Sequence, residues 1–299
     1  MTQSEPKRVI NFKQLRCFHA VATEGSFTKA AKALGLGQPS ITTHVKALED
    51  YYGVELFSRH GQHVEPTDLG AALLEIAHRT FSLERDAVEL LSAASGFRVG
   101  HLRIGAIGPS QVTEMILAFG QIYPDVELSV AFGNSEEIMN RVLDFRADVG
   151  VLPSLENDSR FHSMLYSRNR IVVLVPIHHP WAKQDTVTLP ELEGQRLVLR
   201  EVGSATRRTF EEALAKANVS IKRVLAIGSR EALRDAVAHD LGIGIALDDE
   251  SLSDSRVKAL QISDTVIELQ PHLVCLRERI NAPLIKAFFK EVQELTKDR

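Results

Sequence analysis

The sequence predicts an α/β protein built from a small all-α head, a long linker helix and a two-lobed α/β body. Three observations carry this prediction: a basic N-terminal region with apolar residues at helical spacing, a helix-like stretch without Gly or Pro from Ala71 to about Ser92, and alternating strand-like and helix-like runs after it. We therefore place the head at residues 10–67, the linker helix at residues 68–95 and the body at residues 96–299.

The charge of the chain is unevenly distributed. The 299 residues carry a formal net charge of −4, yet residues 7–63 hold eight Lys and Arg against four Asp and Glu, a net of +4. A basic head on an acidic body is typical of a protein that meets a polyanion at one end only. Chance clustering of surface lysines is the alternative.

The head contains the pattern of a helix-turn-helix. Ser26 is a good N-cap for a short helix with apolar residues at i, i+3, i+4 and i+7, and the tight turn Gly35–Gly37 ends that helix. Pro39 lies where the next helix begins, a position that needs no backbone N–H. Two helices joined by a glycine turn predict a DNA-binding motif.

The next helix presents a polar face that suits base recognition. Gln38, Thr42 and Lys46 recur every four residues, so they share one face. In the major groove the amide can pair with adenine, the hydroxyl can contact a base, and the lysine can reach guanine or phosphate. A hairpin around Arg59 could place that arginine in the adjacent minor groove. An ordinary solvated helix face is the alternative for these residues.

The linker helix carries an apolar stripe that its own small head cannot cover. The spacing alternates four and three, which is a heptad pattern and favours a homodimer through this helix. The alternative is a helix that lies on its own body, and the small and polar residues 92–101 after it read as a hinge. The stripe consists of Leu69, Leu73, Ile76, Thr80, Leu83, Ala87 and Leu90.

The body reads as successive βα units, which predicts largely parallel sheets. The strand-like runs fall into two sets, so we expect lobe 1 at about residues 101–168 and 271–299 and lobe 2 at about residues 169–270. Folds of this kind bind ligands at the carboxyl ends of their strands, and a cleft between the lobes is the expected site.

Polar residues follow several of these strands, each just before a helix. Such positions offer hydroxyl or amide groups together with free backbone N–H groups and a positive dipole end, which suits a small anion. Ordinary N-caps are the alternative for each of them, and no base or acid near Ser204 favours a nucleophile instead. The effector-binding candidates are Gly108, Pro109, Ser110, Asn134, Ser135, Arg200, Ser204, Ala205, Thr206 and Ser229.

The sequence gives little support to catalysis, metals or membranes. It has no G-x-S-x-G, G-x-x-x-x-G-K, H-E-x-x-H or C-x-x-C, and the pair His178-His179 beside Pro180 reads as an exposed loop. We expect no catalytic residue, no metal site, no cofactor and no enzyme. Cys17 and Cys275 read as buried thiols. No apolar run or signal-like start appears, so a cytoplasmic location is expected. A solute-binding or enzymatic α/β protein with an incidental helical head is the alternative.

These features together resemble the LysR-type transcriptional regulators over nearly the full chain, most closely from "LRCFHAVATEGSFTKAAKALGLGQPS" to "RHGQHVEPTDLG". The resemblance implies a sequence-specific regulator of operator or promoter DNA, usually a homotetramer, with RNA polymerase as a further partner. Its body would resemble type 2 periplasmic binding proteins and bind a small molecule. Many members have Ser-Arg where this chain has Thr42-Thr43. The residues expected at DNA are Ser26, Gln38, Pro39, Ser40, Thr42, Thr43, Lys46 and Arg59.

Within that family, "FGNSEEI", "LREVGSATRR" and "IGSREALRDAVAHDLGIGI" resemble regulators associated with 2-aminoethylphosphonate catabolism. The resemblance implies an anionic phosphonate effector at the helix starts, with Arg200 contributing positive charge. The amine of such a ligand needs an acid, for which Glu136, Glu201 and Asp248 are candidates.

Overall fold

The computed structural model describes residues 9–60, 63–94, 100–153, 158–221, 223–248 and 254–297. The chain divides into an N-terminal unit, Met1–Ala87, and a C-terminal unit, Val88–Arg299. The long linker helix runs through the division between them. No helix in the described part of the chain is long and apolar enough to cross a membrane.

The N-terminal unit is a group of helices with a β-hairpin. Asn11 accepts hydrogen bonds from the backbone N–H groups of Lys13 and Gln14, so it caps the first helix. Thr67 accepts from the N–H of Gly70 in the same way at the start of the linker helix. The elements are α1 (Phe12–Glu24), α2 (Phe27–Leu34), α3 (Gln38–Tyr52), β1 (Phe57–His60), β2 (His63–Pro66) and α4 (Asp68–Ala93).

One apolar core holds this unit together. Phe18 of α1 and Ile41 and Leu48 of α3 are almost fully buried, and Phe81 of α4 packs into the same cluster. Burying each such side chain contributes roughly 1.5–3 kcal/mol. The core therefore fixes α3 relative to α1 and α2 and leaves the opposite face of α3 exposed.

Lobe 1 of the C-terminal unit is a mixed sheet whose described strands lie in the order β4-β3-β5-β14-β6. Helices α5 and α9 pack on the core of one face, and α6 packs on the other. The elements are β3 (His101–Ala106), α5 (Pro109–Ile122), β4 (Glu127–Phe132), α6 (Ser135–Leu143), β5 (Val149–Pro153), β6 (Phe161–Leu165), β14 (Pro271–Leu276) and α9 (Pro283–Lys297).

Lobe 2 is built on the strand order β10-β9-β11-β7-β12-β8, with β13 beside β7. Helices α7 and α8 cover opposite faces of this sheet. The elements are β7 (Asn169–Pro176), β8 (Thr186–Val187), β9 (Arg196–Arg200), α7 (Ala205–Lys216), β10 (Arg223–Ile227), α8 (Arg230–Ala238), β11 (Ile243–Leu247), β12 (Val257–Ile262) and β13 (Glu268–Leu269).

The prediction of largely parallel sheets is wrong in one respect. The βα units are parallel, as β3 is with β4 and β5, but β14 runs antiparallel to β5 and β6. The chain returns from lobe 2 at the end of the sheet where β5 finishes, since Pro271 lies opposite Pro153. A strand that enters at that end has to run the opposite way. Strand β7 is likewise antiparallel to β11 and β12.

A buried ion cluster ties the strands of lobe 1 to the short turn that precedes α9. Asp148 accepts from the guanidinium groups of Arg103 at 2.7 and 2.9 Å and of Arg279 at 2.6 Å. Burial by itself would raise the pKa of Asp148, but the hydrogen bonds and charges of the two arginines outweigh it and lower that pKa to about 2. The carboxylate is therefore charged near neutral pH.

Both cysteines are buried and unpaired, as predicted. Burial raises the pKa of the Cys275 thiol to about 12. A thiol this weakly acidic is almost entirely protonated near neutral pH and is a poor nucleophile.

Candidate functional site

The turn between α2 and α3 presents α3 as an exposed helix with a polar face. Gly35 ends α2 in the left-handed conformation, and its N–H donates to the carbonyls of Ala31 and Lys32. Gly37 then caps α3, and Pro39 lies in the first turn, where it displaces no helical hydrogen bond. This is the helix-turn-helix geometry that the sequence predicts.

The polar groups at the start of α3 are ordered by local hydrogen bonds. The hydroxyl of Thr42 donates to the carbonyl of Gln38 at 3.1 Å, and the hydroxyl of Thr43 donates to the carbonyl of Pro39 at 2.9 Å. Thr28 of α2 donates to the amide oxygen of Gln38 at 3.2 Å. The two N–H donors of that amide take no part in this hydrogen bond. Thr28 was not among the predicted residues, because one threonine in a first helical turn carries no distinctive signal.

The remaining candidates for DNA contact lie in or beside the same motif. Lys46 is exposed on α3 and forms no ion pair with any residue that the structure describes. Ser26 caps α2 by accepting from the N–H of Lys29, and Ser40 is half-buried in the first turn of α3. Arg59 belongs to strand β1 of the hairpin, but its side chain lies outside the described residues.

A cavity of about 530 Å³ lies between the two lobes, at the ends of their strands. Five of the predicted effector residues line it: Gly108, Pro109, Asn134, Arg200 and Ser229. They come from the starts of α5, α6 and α8 and from the end of β9. The interpretation that polar residues at strand ends converge on one cleft therefore holds for these five.

The helix starts differ in how their backbone N–H groups are used. Asn134 and Glu137 form a capping box at α6, and Ser229 accepts from the N–H of Ala232 at α8. Gly108 has no side chain with which to cap α5, and its extended backbone precedes Pro109. The start of α5 thus lacks the side-chain cap that the starts of α6 and α8 have, and the N–H groups that follow Pro109 have no side-chain acceptor from the N-cap residue.

The start of α7 is placed differently from the prediction. Ser204 and Thr206 are each 5% exposed and Ala205 belongs to the apolar core of lobe 2, so none of them is among the residues lining the cavity. The preceding turn at Gly203 has φ of 93°, and a Cβ there would lie 3.0 Å from the carboxylate of Glu136 in the opposite lobe. The approach of lobe 1 therefore covers this helix start.

Two further candidates remain. Ser135, the first residue of α6, is half-buried and is not among the described lining residues. The side chain of Ser110 lies outside the described residues, although its backbone belongs to α5. Among the acids considered for an amine, Glu201 lines the cavity, whereas Glu136 and Asp248 are not among its lining residues.

The cavity has a mixed charge, which the sequence did not indicate. Arg200 is held by Glu201 in two hydrogen bonds of 2.8 and 2.9 Å and also donates to the carbonyl of Gly228. Arg230 of lobe 2 donates to the carbonyl of Ile107 in lobe 1, so it bridges the cleft.

The acidic side chains of the lining are engaged as well. The hydroxyl of Ser229 donates to Glu231 at 2.7 Å, and this hydrogen bond lowers the pKa of Glu231. Glu137 accepts from the N–H of Asn134 at 3.0 Å. With Glu201 the described lining holds three carboxylates and two guanidinium groups, so a ligand meets both signs of charge.

Comparison with known protein families gives two matches that together span most of the chain. Residues 12–71 match the bacterial regulatory helix-turn-helix proteins of the lysR family, and residues 95–297 match the LysR substrate binding domain. Among curated proteins, the chain is similar to the transcriptional activator CmpR of Synechocystis, 31% identical over 78% of this chain and 77% of that protein. It is also 29% identical to the regulator CbbR of Rhizobium meliloti over 94% and 92% of the two chains.

Two solved structures share the fold over nearly the full length of this chain, and a third shares it over about two thirds. Full-length OxyR from Pseudomonas aeruginosa gives a TM-score of 0.76 at 20% identity, covering 96% of this chain and 95% of that one. CbnR complexed with its target DNA gives 0.69 at 22% identity, covering 95% and 99%. The regulatory domain of Synechocystis CcmR in complex with 2-PG gives 0.61 at 24% identity, covering 67% and 98%. The predicted fold class, a helix-turn-helix head on a two-lobed α/β body, is thereby confirmed.

Proposed function

Because the chain belongs to the LysR family of DNA-binding transcriptional regulators, which are not enzymes, we propose that its body senses a small anionic metabolite in the cleft between its lobes. The observation that carries this proposal is the convergence of three helix starts, at Gly108, Asn134 and Ser229, on one cavity. In this proposal the head is a working part of the protein, because the effector bound in the body controls how the head binds DNA.

We assign the anionic group of the effector to the start of α5. Each of the other two helix starts already donates one N–H to its cap residue, Asn134 or Ser229, and each has at least one carboxylate in its first turn, which opposes a bound anion. An anion at Gly108 would accept from the first-turn N–H groups of α5 and meet the positive end of the helix dipole.

The mixed charge of the lining favours an effector that also carries a positive group. Glu137, Glu201 and Glu231 outnumber Arg200 and Arg230, so an ammonium would be stabilised in the same cavity that holds the anion. 2-Aminoethylphosphonate has both groups, and we propose it or a related phosphonate as the effector. The likeness to the CcmR complex makes 2-PG the rival anion to test.

Calorimetric titration of the full-length protein tests the effector. The ligands are 2-aminoethylphosphonate, phosphonoacetaldehyde, inorganic phosphate and 2-PG. We expect the amine-bearing phosphonate to bind most tightly, and the absence of heat with both phosphonates would discard the phosphonate assignment. Stronger binding of 2-PG would leave an anionic effector but replace the phosphonate.

A cavity-filling variant locates the binding site. A Cβ at Gly228 would meet no atom within 4 Å, so Gly228→Val fits the fold while its methyl groups enter the cavity. We expect this variant to lose binding. Gly120→Val is the matched control, because Gly120 also has open space at its Cβ but lies on α5 away from the lining. Equal binding by Gly228→Val and the parent protein would contradict the assignment of the cavity.

At the other end of the chain, we propose that α3 enters the major groove with the hairpin beside it. Gln38, Thr42 and Lys46 lie at a spacing that puts them on one face, and the buried Ile41, Val45 and Leu48 hold the opposite face in the core. Footprinting on the upstream region of the gene tests this. Replacing Thr42 and Lys46 by Ala should abolish the footprint at protein concentrations that protect DNA with the parent chain.

We further propose that the protein is a homodimer through α4 and assembles into a homotetramer that acts with RNA polymerase at its promoter. Leu69, Ile76, Leu83 and Leu90 recur every seven residues and are at least half exposed within the single chain. A second copy of the helix would cover this stripe. Sedimentation of the purified protein measures the assembly.

A further inference from the structure

Lobe 1 carries a second cavity on its surface, between strand β6 and helix α9, with a volume of about 760 Å³. Tyr123, Met164 and Phe289 form an apolar floor. Lys286 and Lys290, one helical turn apart on α9, line its side. The effector cavity has none of these residues in its lining, so the two sites are separate.

Strand β6 is the outermost described strand of its sheet. Only one side of its backbone hydrogen-bonds to a neighbouring described strand, β14. Arg277 N donates to Arg160 O at 2.7 Å, and Tyr166 N donates to Pro271 O at 2.9 Å. Because pairing alternates along an antiparallel strand, even-numbered residues of β6 face β14 and odd-numbered residues face outward.

The outward-facing groups are only partly satisfied. The guanidinium of Arg277 donates to the carbonyl of Phe161 at 2.8 Å. The N–H and C=O groups of Ser163 and Leu165 have no partner among the residues that the structure describes. An open strand edge of this kind is a template for an added strand.

The charge of the groove selects the partner. Lys286 and Lys290 are exposed and form no ion pair within the described chain, and no carboxylate is among the described lining residues. The chain as a whole has a net charge of −4, whereas the charged residues of the described lining, Lys286 and Lys290, are both positive. An acidic partner is complementary to it.

We propose that an extended acidic segment of a partner protein binds here by adding a strand to β6. Its backbone pairs with Ser163 and Leu165, and carboxylates at every second residue reach Lys286 and Lys290. The methylene stems of those acidic side chains lie on the floor formed by Met164 and Phe289. The proposal does not depend on the identity of the effector.

A fluorescein-labelled peptide of eight alternating valine and glutamate residues tests this with the full-length protein, by fluorescence anisotropy. We expect saturable binding, and no binding of the matching valine and lysine peptide. The double variant K286E/K290E should weaken binding by about tenfold or more. The double variant K183E/K216E is the matched control, since it makes the same charge change at exposed lysines of lobe 2 and should bind as the parent does.

The backbone part of the proposal has its own variant. Ser163→Pro removes an outward N–H, and proline is tolerated on an edge strand because that N–H pairs with no strand in the described part of the chain. We expect it to lose peptide binding while its urea unfolding stays close to that of the parent protein. Equal binding of both peptides, or unchanged binding in both K286E/K290E and Ser163→Pro, would overturn the proposal. The proposal would also be overturned if the parent protein did not bind the peptide and K286E/K290E sedimented at a smaller mass than the parent. That result would identify the groove as a contact between copies of this chain.

Discussion

Arg200 and Glu201, neighbours in the chain, form an ion pair through two hydrogen bonds at the wall of the cavity between the lobes. The arginine is 7% exposed, so its charge is compensated inside the protein before any ligand arrives. An anion therefore does not meet Arg200 as a free cation, and the helix start at Gly108 becomes the more important source of positive potential.

Replacing Glu201 by Gln should change ligand affinity and stability in opposite directions. The lining loses one negative charge, so we expect inorganic phosphate to bind about three- to tenfold more tightly. The buried guanidinium loses its counter-ion, so the free energy of unfolding should fall by about 1–3 kcal/mol. Calorimetry and urea unfolding measure the two effects.

Glu193→Gln is the control for this experiment, because Glu193 is exposed in lobe 2 and is not among the cavity-lining residues. It removes the same charge and should leave both quantities unchanged. Unaltered phosphate affinity in Glu201→Gln would show that Arg200 takes no part in anion binding.

Lys46→Ala should weaken DNA binding without changing sequence preference. An exposed lysine without an ion pair in the described chain is suited to a phosphate contact, which carries no sequence information. We expect the affinity to fall about five- to tenfold and the slope of log K against log salt to decrease by about one. Titrations at several salt concentrations, with Lys216→Ala in the body as control, measure this. A slope equal to that of the parent would place Lys46 away from the phosphates.

Asp148 should make the stability of the body depend on pH at the acid end. Its pKa is lowered to about 2 in the folded protein, whereas an unperturbed aspartate has 3.8. A lowered pKa adds stability above pH 3.8, here about 2–3 kcal/mol, and that contribution is lost as the pH falls towards 2. Asp148→Asn should therefore lower the free energy of unfolding near neutral pH, and the difference from the parent should shrink towards pH 2.

Asp144→Asn is the matched control for Asp148. Asp144 also accepts from an arginine, Arg146, at 2.7 Å, but both side chains are more than 40% exposed. A solvated pair contributes less than about 1 kcal/mol, so this variant should unfold much as the parent does. An equal decrease in the free energy of unfolding for both variants at pH 7 would contradict the inference that burial strengthens the Asp148 cluster.

Local sequence signals were sufficient to predict the head, and they also indicated five residues that line the cavity between the lobes. The turn could be predicted because its conformation depends on residues within it, namely Gly35, Gly37 and Pro39. Gly108, Asn134 and Ser229 follow buried strands directly, and the carboxyl ends of parallel strands meet at one edge.

Contacts between distant parts of the chain limited the rest. Ser204 satisfies the same local pattern as Ser229, but the approach of Glu136 to Gly203 covers its helix start. Arg230 bridges to Ile107, a residue 123 positions away, and no local pattern indicates that. The direction of β14 likewise depends on where the chain re-enters lobe 1. Contacts between residues so far apart in the sequence produce no periodic pattern and no motif from which they could be predicted.

The exposed stripe of α4 leads to a prediction about assembly. Ile76 and Leu83 are 60% and 65% exposed in the single chain, although both are large and apolar. Placing a glutamate at each position would bury charges against each other if two such helices pack together. We expect I76E/L83E to sediment at a smaller mass than the parent.

The same variant should lose DNA affinity while the head stays folded, because neither side chain belongs to the buried core of the N-terminal unit. Two heads joined in a dimer bind two half-sites together, and separated heads lose that advantage, by a factor of about a hundred or more. Ala71→Glu is the control, since Ala71 is exposed on α4 outside the stripe. An unchanged mass for I76E/L83E, or an equal loss of mass for Ala71→Glu, would rule out the stripe as the dimer contact.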